Sequence, residues 1–458
     1  MPLTRTIESL FRRFLPSPFV IALLLTLLTM ALALAFGQYP GGTPAWKGVL
    51  TSWESGLWNR GLLVFAYQMM LILVLGHVLV LSRPMERLIL RLTALARNGA
   101  MAAFLVVFST CIVSFFNWGL GLIFGALLAR KVGEHARQQQ IPLNYPLIGA
   151  CGYAGLMVWH GGISGSAPIK ASEPGHLAAL MEGVVPASAL ADFPEAIPSA
   201  ATVLSAWNLG IFFLVLAALS GLAYYLGKNT TPTFISLSPY QFAETGETEP
   251  QGAEKLDRSP WLSTLFAGGI FLAFLVQYFP QLRALNLTPD MLNFFMLGLA
   301  ILLHGNIRRF LQAVEEAIKD TSGILIQFPL YFGIMGMMTE SGLIHQISDF
   351  FVAISTDTTF PIFTFFSAGL VNLFVPSGGG QWAVQGPVIL QASQTLGVPL
   401  SKAVMALAYG DQLTNMLQPF WALPLLGITR LKAREILPYT LLFMVLGGAI
   451  YLVGLWFW

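Results

Sequence analysis

The feature that most constrains this chain is a run of helix-breaking residues inside a long apolar stretch. Residues 372–387 read Asn-Leu-Phe-Val-Pro-Ser-Gly-Gly-Gly-Gln-Trp-Ala-Val-Gln-Gly-Pro. Three consecutive glycines behind a Pro-Ser pair are not expected to continue an α-helix. An unwound backbone at membrane depth is tolerated only where protein buries it or a watery cavity hydrates it. The segment therefore predicts a polar site within a lipid bilayer.

The overall composition supports a polytopic membrane protein. The chain has 458 residues, of which 55% are hydrophobic and only 10% are charged, whereas a soluble domain carries roughly 25% charged residues. Both cysteines, Cys111 and Cys151, lie in apolar stretches and are expected to be packing residues, not a disulfide or a metal site. We expect no nucleic-acid partner and no cofactor other than a coupling ion.

The first apolar run, residues 18–37, is expected to be an uncleaved membrane span. Its apolar part exceeds the roughly 7–15 residues of a secretory signal, although Ala33-Leu34-Ala35 leaves a cleaved signal peptide as the alternative. Three arginines precede it within residues 1–17, which are predicted to form a basic amphipathic helix on the cytoplasmic surface.

Residues 99–129 are predicted to form a hairpin that enters the membrane and returns to the same side. Basic residues flank this apolar segment at both ends, and Lys and Arg favour the cytoplasmic side. A single crossing would put one basic cluster outside, so a turn at residues 114–119 resolves the conflict. Residues 143–167 then cross outward as a span broken around residues 160–168, and span 203–227 returns.

The second half of the chain repeats this plan upside down. It follows a polar cytoplasmic linker, residues 228–260, and a linking span, residues 261–283. Residues 284–458 then hold a hairpin (359–395), with its turn predicted at residues 376–381, and a span (402–428) that is predicted to be broken at residues 410–415. The hairpin has no basic flank, which favours entry from outside.

The chain is therefore predicted to be an all-α polytopic membrane protein with an inverted structural repeat. Residues 18–227 form the first copy and residues 284–458 form the second. The two copies hold two opposed re-entrant hairpins and two broken transmembrane helices. Inverted repeats with paired discontinuous helices are typical of secondary transporters.

An acidic residue in the second broken span is the predicted ion-coupling site. Asp411 lies within residues 410–415, and inserting it at a helix centre costs roughly 2.5–3.5 kcal/mol, so it needs a partner. Thr414 and Asn415 follow three and four positions later and would share its face in a locally helical turn. A carboxylate, a hydroxyl and an amide can bind H⁺ or Na⁺. The alternative is a buried Asp that only caps the second half-helix.

Polar residues and glycines at the turns and breaks are the predicted substrate-binding residues. Glycines let the backbone approach a ligand closely, and N–H groups at half-helix starts favour an anion. The predicted contacts are Asn117, Ser164, Ser166, Ser377, Gly378, Gly379, Gly380, Gln381 and Gln385. The alternatives are a packing turn for the glycines and ordinary interhelical hydrogen bonds for the serines. Because no arginine lies inside a predicted span, a monocarboxylate with an apolar tail is favoured over a dicarboxylate or phosphate.

Two residues near the first break have open roles. His160 either carries a proton or only caps the helix end beside it. Lys170 lies past the break, near the outer mouth, and is expected to extend its amine to the membrane surface.

These motifs together resemble the bacterial short-chain fatty acid transporter family. The motifs that carry the resemblance are Val-Pro-Ser-Gly-Gly-Gly-Gln-Trp at 375–382, Gln-Gly-Pro at 385–387, Gly-Asp-Gln at 410–412 with Thr414 and Asn415, Phe-Asn-Trp-Gly at 116–119, and His-Gly-Gly at 160–162 with Ser-Gly-Ser at 164–166. The resemblance is collinear over nearly the whole chain. That family looks like a branch of an ion transporter superfamily of symporters with two re-entrant hairpins, which implies an elevator-like motion, often in a homodimer.

The resemblance also assigns roles to residues. It implies that the tip serines and Asn117 contact the substrate, and that Asp411, Thr414 and Asn415 contact the driving ion. Lys170 departs from the apolar residue expected at its position.

The sequence therefore predicts a symporter of the bacterial inner membrane that imports short-chain fatty acids or similar small monocarboxylates with H⁺ or Na⁺. Its N-terminus is expected in the cytoplasm and its C-terminus outside. Another small organic anion as substrate, or a passive channel or exporter, is the alternative. A remote alternative is an intramembrane serine protease, because residues 162–165 match the Gly-x-Ser-Gly of rhomboids. Such a protease needs a His on another span to activate the serine.

Overall fold

A computed structural model of the chain describes residues 16–39, 42–182, 185, 190, 193–233, 252–283 and 289–458. Most of the predicted N-terminal amphipathic helix and the middle of the predicted 228–260 linker lie outside the described residues.

The described residues form α-helices joined by short turns, with two isolated β-bridges and no longer strand among them. The helices of the first half are α1 (Pro18–Phe36), α2 (Ala45–Leu57), α3 (Arg60–Val80), α4 (Arg83–Thr93), α5 (Gly99–Phe116), α6 (Trp118–Gln138), α7 (Tyr145–Tyr153), α8 (Ser166–Ala171), α9 (His176–Met181) and α10 (Ala206–Asn229). The helices that follow are α11 (Glu254–Asp257), α12 (Pro260–Arg283), α13 (Pro289–His304), α14 (Ile307–Ala317), α15 (Ser322–Glu340), α16 (Leu343–Ala353), α17 (Phe360–Phe374), α18 (Gly378–Thr395), α19 (Leu400–Thr414), α20 (Pro419–Thr429) and α21 (Ala433–Phe457). The predicted all-α class is confirmed.

Several helices can cross a membrane. Within the described residues, α1, α5, α10, α12 and α21 are long and apolar enough to do so. The outer face of α12 is apolar, with Leu272 and Val276 exposed by 66% and 77%. A continuous apolar face of this kind fits lipid and not water. The architecture is that of a polytopic membrane protein, as the sequence predicts.

A helix–turn–helix pair, α5 and α6, occupies the first predicted hairpin. The chain turns at Asn117, whose backbone N–H donates to the carbonyl oxygen of Val113 at 3.0 Å. The side-chain oxygen of Asn117 accepts from the N–H of Leu120 at 2.9 Å. The arms run antiparallel, since Gly121 lies so close to Ser114 that a Cβ there would overlap it. The turn lies where the sequence predicts it, because Asn is among the best N-cap residues.

The second arm of this pair is longer than the predicted end at residue 129. α6 continues to Gln138 and buries Arg130, whose Nε lies 2.9 Å from Oε1 of Glu134. Arg130 also donates to the carbonyl oxygen of Ile428 at 2.6 Å. A paired and hydrogen-bonded arginine can lie inside a helix bundle, so the basic cluster does not mark the end of the arm.

The second helix–turn–helix pair, α17 and α18, has a shorter turn than predicted. The turn covers residues 375–377, and the three glycines form the first turn of α18. As the sequence predicts, the glycines do not continue α17. Contrary to the prediction, they start the next helix and do not lie in the turn. Ser377 caps that helix, because its Oγ accepts from the N–H of Gly380 at 3.2 Å. Capping satisfies a donor that the first turn leaves free, which offsets the low helix propensity of glycine.

Both predicted broken spans are interrupted. α7 passes into a 3₁₀ turn, and residues 158–165 are then non-helical before α8 begins. In the second span, α19 runs on to Thr414, so Asp411 lies in its last turn, and α20 begins at Pro419. This break comes later than the predicted 410–415, because Pro favours the first position of a helix and keeps the residue before it extended.

Glycines set the distance between each hairpin and the broken helix beside it. Gly125 of α6 faces Gly152 of α7, and a Cβ on either would overlap the carbonyl oxygen of the other. Gly410 of α19 lies in the same way against the carbonyl oxygen of Phe365 in α17. Small residues let helix backbones approach closely in membranes, so these contacts depend on the absence of a side chain.

Replacing Gly125 by alanine is expected to destabilise the protein by about 1–3 kcal/mol, because the new methyl group meets backbone on a packed helix. Gly268→Ala on α12 is the matched control, since nothing lies within 4 Å of a Cβ there. The control should leave stability unchanged or slightly raised, as Ala favours helix over Gly. Thermal unfolding of the purified protein in detergent measures both. Equal unfolding midpoints for the two variants would contradict the close packing.

Candidate functional site

A buried histidine–carboxylate pair joins the two broken helices. His160 lies in the non-helical segment after α7, and Asp411 lies in the last turn of α19. His160 Nδ1 is 2.7 Å from Asp411 Oδ2, and the two side chains are exposed by only 0% and 1%. A buried carboxylate in a membrane protein requires a partner, and this partner comes from the other half of the chain.

The second ring nitrogen of His160 is also engaged. The backbone N–H of Ala167, at the start of α8, donates to His160 Nε2 at 3.0 Å. A nitrogen that accepts a hydrogen bond carries no proton, so the proton of the neutral ring lies on Nδ1 and is donated to Asp411. This tautomer is assigned from the hydrogen-bond partners. His160 therefore both caps α8 and contacts the carboxylate.

The start of α18 lies directly against this pair. A Cβ added to Gly378 would lie 2.8 Å from His160 Cε1, 3.1 Å from Asp411 Oδ2 and 2.7 Å from Trp159 Cη2. Because glycine has no Cβ, the backbone at the tip of the second hairpin, residues 375–378, can approach both members of the pair. We call this segment the second tip.

Neighbouring side chains hold the backbone of the first break. Gln412 Oε1 accepts from the N–H groups of His160 and Gly161 at 2.9 Å and 3.1 Å. Asn208 of α10 donates to the carbonyl oxygen of Gly161 at 2.9 Å. Non-helical backbone at membrane depth needs such partners within the protein. The break is therefore supported by α10 and by the second broken helix.

A second polar network surrounds the end of α19. Asn372 of α17 places its Nδ2 at 2.8 Å from the carbonyl oxygen of Asp411, 2.9 Å from Thr414 Oγ1 and 2.8 Å from Asn415 Oδ1. The three predicted ion-coupling residues are thus brought together. Their oxygens, however, face an amide nitrogen, and Asp411 contributes its carbonyl oxygen here and not its carboxylate.

The tip of the first hairpin, residues 116–118 (the first tip), lies beside the non-helical residues 158–165 (the first break). The N–H of Trp118 donates to Ser164 Oγ at 3.0 Å. The ring of Trp118 is edge-on to Trp159 and to Trp421, with centroids 6.0 Å and 5.2 Å apart. Trp159 in turn stacks on His160 at 4.4 Å. Trp159 therefore lies between the two tips.

The other predicted substrate residues fall into two groups. Ser166 lies near the second tip, 3.9 Å from the position of a Cβ on Gly379. Gln381 and Gln385 lie between the arms of their own hairpin. Gln381 Nε2 donates to Gln385 Oε1 at 2.8 Å, and Gln385 Nε2 donates to Ser367 Oγ at 2.8 Å. Contact of these residues with a ligand stays a prediction.

Several buried polar atoms around the pair have no hydrogen-bond partner within the described part of the chain. They are Trp159 Nε1, Asp411 Oδ1 and Gln412 Nε2. Buried polar groups in native proteins are nearly always satisfied, so these atoms mark positions that a ligand can satisfy. The two N–H donors suit an anion, and the carboxylate oxygen suits a proton or a cation.

Sequence reasoning missed Trp159, Asn372 and Gln412 as site residues. Each is adjacent to, or within, a motif that the sequence analysis singled out, and that position is the only signal in the sequence. Their importance comes from contacts between residues far apart along the chain. The same is true of His160, whose partner could not be recognised from its own surroundings.

Comparison with known proteins identifies the relatives of this chain. The model of the family described as "Short chain fatty acid transporter" matches residues 2–458. A provisionally named short-chain fatty acid transporter of Escherichia coli (strain K12) is 36% identical over 459 aligned positions, which cover 99% of this chain and 98% of that protein. A protein of the same provisional name from Haemophilus influenzae is 34% identical and covers 99% of both.

Two solved structures are more distant. The crystal structure of the YdaH transporter of Alcanivorax borkumensis gives a TM-score of 0.44 at 15% identity, covering 96% of this chain and 98% of that chain. MtrF of Neisseria gonorrhoeae, described within a class of antimetabolite efflux pumps, gives a TM-score of 0.44 at 14% identity, and the match covers 98% of this chain and 97% of that chain.

Gly378→Ala is expected to destabilise the protein by about 1–3 kcal/mol, because its methyl group meets Trp159, His160 and Asp411. Gly379→Ala is the matched control one residue away, where the nearest side chain lies 3.9 Å from the new Cβ. The control should change stability by less than about 0.5 kcal/mol. Thermal unfolding of both variants gives the comparison. If Gly378→Ala unfolds at the same temperature as Gly379→Ala, the second tip does not contact the pair.

Proposed function

Because the chain belongs to the short-chain fatty acid transporter family, we propose that it imports short-chain fatty acids or similar small monocarboxylates by symport with H⁺ or Na⁺. The family is one of transporters, so the protein is a transporter and not an enzyme, and the intramembrane-protease alternative is excluded. With its long apolar helices it is a multi-pass protein of the inner membrane. The family resemblance predicted from the sequence is confirmed.

One observation carries the proposed mechanism. The second tip, the first break and the end of α19 meet at the buried pair of His160 and Asp411, where a Cβ on Gly378 would overlap His160 and crowd Asp411. An ionisable group at such a depth in a membrane protein marks a pathway for a substrate or an ion. The position at which discontinuous helices meet is also where secondary transporters bind substrate.

The groups around the pair suit a carboxylate. The first N–H groups of α18 have no partner within the helix and carry the positive end of its dipole. Trp159 Nε1 and Gln412 Nε2 are buried donors without a partner in the described part of the chain. The donors named here include no arginine or lysine, and neutral donors at a helix start suffice for a singly charged anion.

Apolar side chains next to the first tip are of the kind that contact a hydrocarbon tail, although the cavity of about 10 Å³ between them must widen to admit one. A small cavity beside the tip is lined by apolar side chains that include Ile72, Trp118, Phe328 and Trp421. Trp118 also contacts Trp159, which connects this surface to the donors. The combination supports a short monocarboxylate as substrate, and another small organic anion is the second candidate.

Mirrored packing supports an inverted repeat with two opposed re-entrant hairpins. α1 packs on α15 as α13 packs on α3. α4 packs on α6 as α16 packs on α18, and α6 packs on α20 as α18 packs on α8. The order of elements is the same in the two halves, with α12 as the added linking span. The elevator-like motion and the homodimer that the family resemblance implies are part of this proposal.

In proteoliposomes, the protein is expected to exchange internal butyrate for radiolabelled external butyrate and to accumulate it when an H⁺ or Na⁺ gradient is imposed. Accumulation against a butyrate gradient separates a symporter from a passive channel. Protein-free liposomes correct for diffusion of the free acid. Accumulation that ignores both gradients would refute symport. If a thermal-shift screen shows that another organic anion stabilises the protein and that short-chain acids do not, that anion replaces the short-chain acids as the proposed substrate.

Trp159→Phe tests the proposed carboxylate contact, because it keeps the ring and removes the N–H. We expect the half-saturating butyrate concentration for exchange to rise about 10–100-fold, since a hydrogen bond to a charged group contributes about 1.5–3 kcal/mol. Trp261→Phe is the control, as Trp261 is 71% exposed on α12. An unchanged concentration in Trp159→Phe would remove Trp159 from the substrate site.

The inverted topology predicts that the outer flanks of the two hairpins lie on opposite sides of the membrane. A cysteine replacing Gln138, at the end of α6, is expected to react with a membrane-impermeant maleimide only from the cytoplasm. A cysteine replacing Thr356, just before α17, is expected to react only from outside. Both positions are exposed, and both native cysteines are buried. Labelling of the two positions from the same side would refute the inverted repeat.

A further inference from the structure

The pair of His160 and Asp411 has one open position. Both nitrogens of His160 are engaged, since Nδ1 faces Asp411 Oδ2 at 2.7 Å and Nε2 accepts from Ala167 at 3.0 Å. Asp411 Oδ1 is buried and has no partner within the described part of the chain. Of the four polar atoms of the pair, the oxygen Oδ1 is therefore the one that can gain a proton without breaking a hydrogen bond.

We propose that this pair, and not the cluster of Asp411, Thr414 and Asn415, carries the coupling ion, and that the ion is a proton. The proposal rests on the proposed function. One proton from the aqueous side adds to Asp411 Oδ1 as an O–H bond, while His160 stays neutral and keeps donating to Oδ2. The net charge of the pair changes from −1 to 0. On the other side of the membrane the same O–H bond breaks and the proton returns to water.

The surroundings of the cluster disfavour a metal cation there. Its oxygens lie 2.8–2.9 Å from Asn372 Nδ2, a donor that occupies the point at which the oxygens of Asp411, Thr414 and Asn415 converge. A sodium ion bound by these oxygens would have to displace that amide group. The carboxylate of Asp411 points away from this network to a ring nitrogen, and a proton is the cation that such a carboxylate can accept without further oxygen ligands.

Neutralising the pair couples the proton to the substrate. Gly378 opens α18 and lies against both His160 and Asp411, so a carboxylate bound at the start of α18 lies close to the Asp411 carboxylate. Two like charges in a water-poor site repel each other strongly. The anion therefore binds more tightly after Asp411 has gained its proton. Because one anion and one proton are transported together, the transport cycle moves no net charge across the membrane.

The elements that surround the pair carry other ionisable groups. The helices α17 and α18 contain none. The other surrounding elements carry Cys111 (α5), Tyr145, Cys151 and Tyr153 (α7), Lys170 (α8) with Glu173 after it, His176 (α9), Lys402 and Tyr409 (α19), and Tyr439 and Tyr451 (α21). Towards their far ends, α6 carries ionisable groups from Arg130 onwards, α10 carries them from Tyr224 onwards, and α21 carries Arg434 and Glu435.

The charged and titratable groups that follow the first break are engaged elsewhere. Lys170 and Glu173 form a partly exposed ion pair at 2.9 Å. His176 accepts from Trp382 Nε1 at 3.1 Å, and burial, with the Lys170 charge, lowers the pKa of His176. A lowered pKa favours the uncharged form of this histidine at neutral pH.

Proton uptake on binding tests the proposal directly. Butyrate is titrated calorimetrically into the purified full-length protein at about pH 7.5, in two buffers with different heats of ionisation. The wild type is expected to take up about one proton per butyrate bound, and its affinity should fall about tenfold per pH unit where the pair is deprotonated. Asp411→Asn, which keeps an acceptor for His160, should bind butyrate with no proton uptake and no pH dependence.

Transport by the same variants gives an independent readout. Asp411→Asn should retain butyrate exchange in proteoliposomes and lose accumulation driven by a proton gradient. Asp349→Asn and His345→Gln, both exposed on α16, are the controls and should keep both activities.

Several outcomes would overturn the inference. The first is butyrate binding by the wild type without proton uptake. The second is butyrate accumulation that follows a sodium gradient alone. The third is proton uptake that is lost in His176→Gln but retained in Asp411→Asn. If Asp411→Asn does not fold, the proton count of the wild type decides. A wild type that neither binds nor exchanges butyrate would refute the proposed function itself. A wild type that exchanges butyrate without protons would refute only this inference.

Discussion

The structure depends on satisfying main-chain groups where helices stop inside an apolar bundle. Each break leaves N–H and C=O groups that lipid cannot satisfy. Here side chains from distant segments supply the partners. Gln412 accepts from the backbone of the first break, Ser164 accepts from the first tip, and Asn372 donates to the end of α19. Every break is therefore also a tertiary contact, and the polar centre exists because the helices are interrupted.

Charge burial is the second constraint on the same centre. A carboxylate inside a membrane protein is costly unless it is paired, and Asp411 is paired with a histidine from the other half of the chain. The contact between Trp118 and Trp421 and the hydrogen bond from Arg130 to Ile428 also join the halves. These contacts hold the hairpins and broken helices of both halves in one packed body.

Much of the architecture could be predicted from local patterns. The local signals are apolar runs of helical length, the basic flanks of the first hairpin and the capping preference of Asn117. The structure has two helices joined by a turn at the position that these signals indicated. The predictions were less accurate where a side chain decides the result. The glycines after Ser377 start a helix because that serine caps it. α6 extends past residue 129 because Glu134 neutralises Arg130.

The amino-acid sequence alone determined that this chain is an all-α membrane protein of a transporter family, because apolar composition and helix-breaking motifs are local features of the sequence. It also marked Asp411 as a residue that needs a partner. Only the tertiary structure decided what that partner is. The contacts of His160 with Asp411, and of Asn372 with the end of α19, join segments that are distant in sequence. No local pattern encodes such contacts, because they arise when packing brings the interrupted helices together.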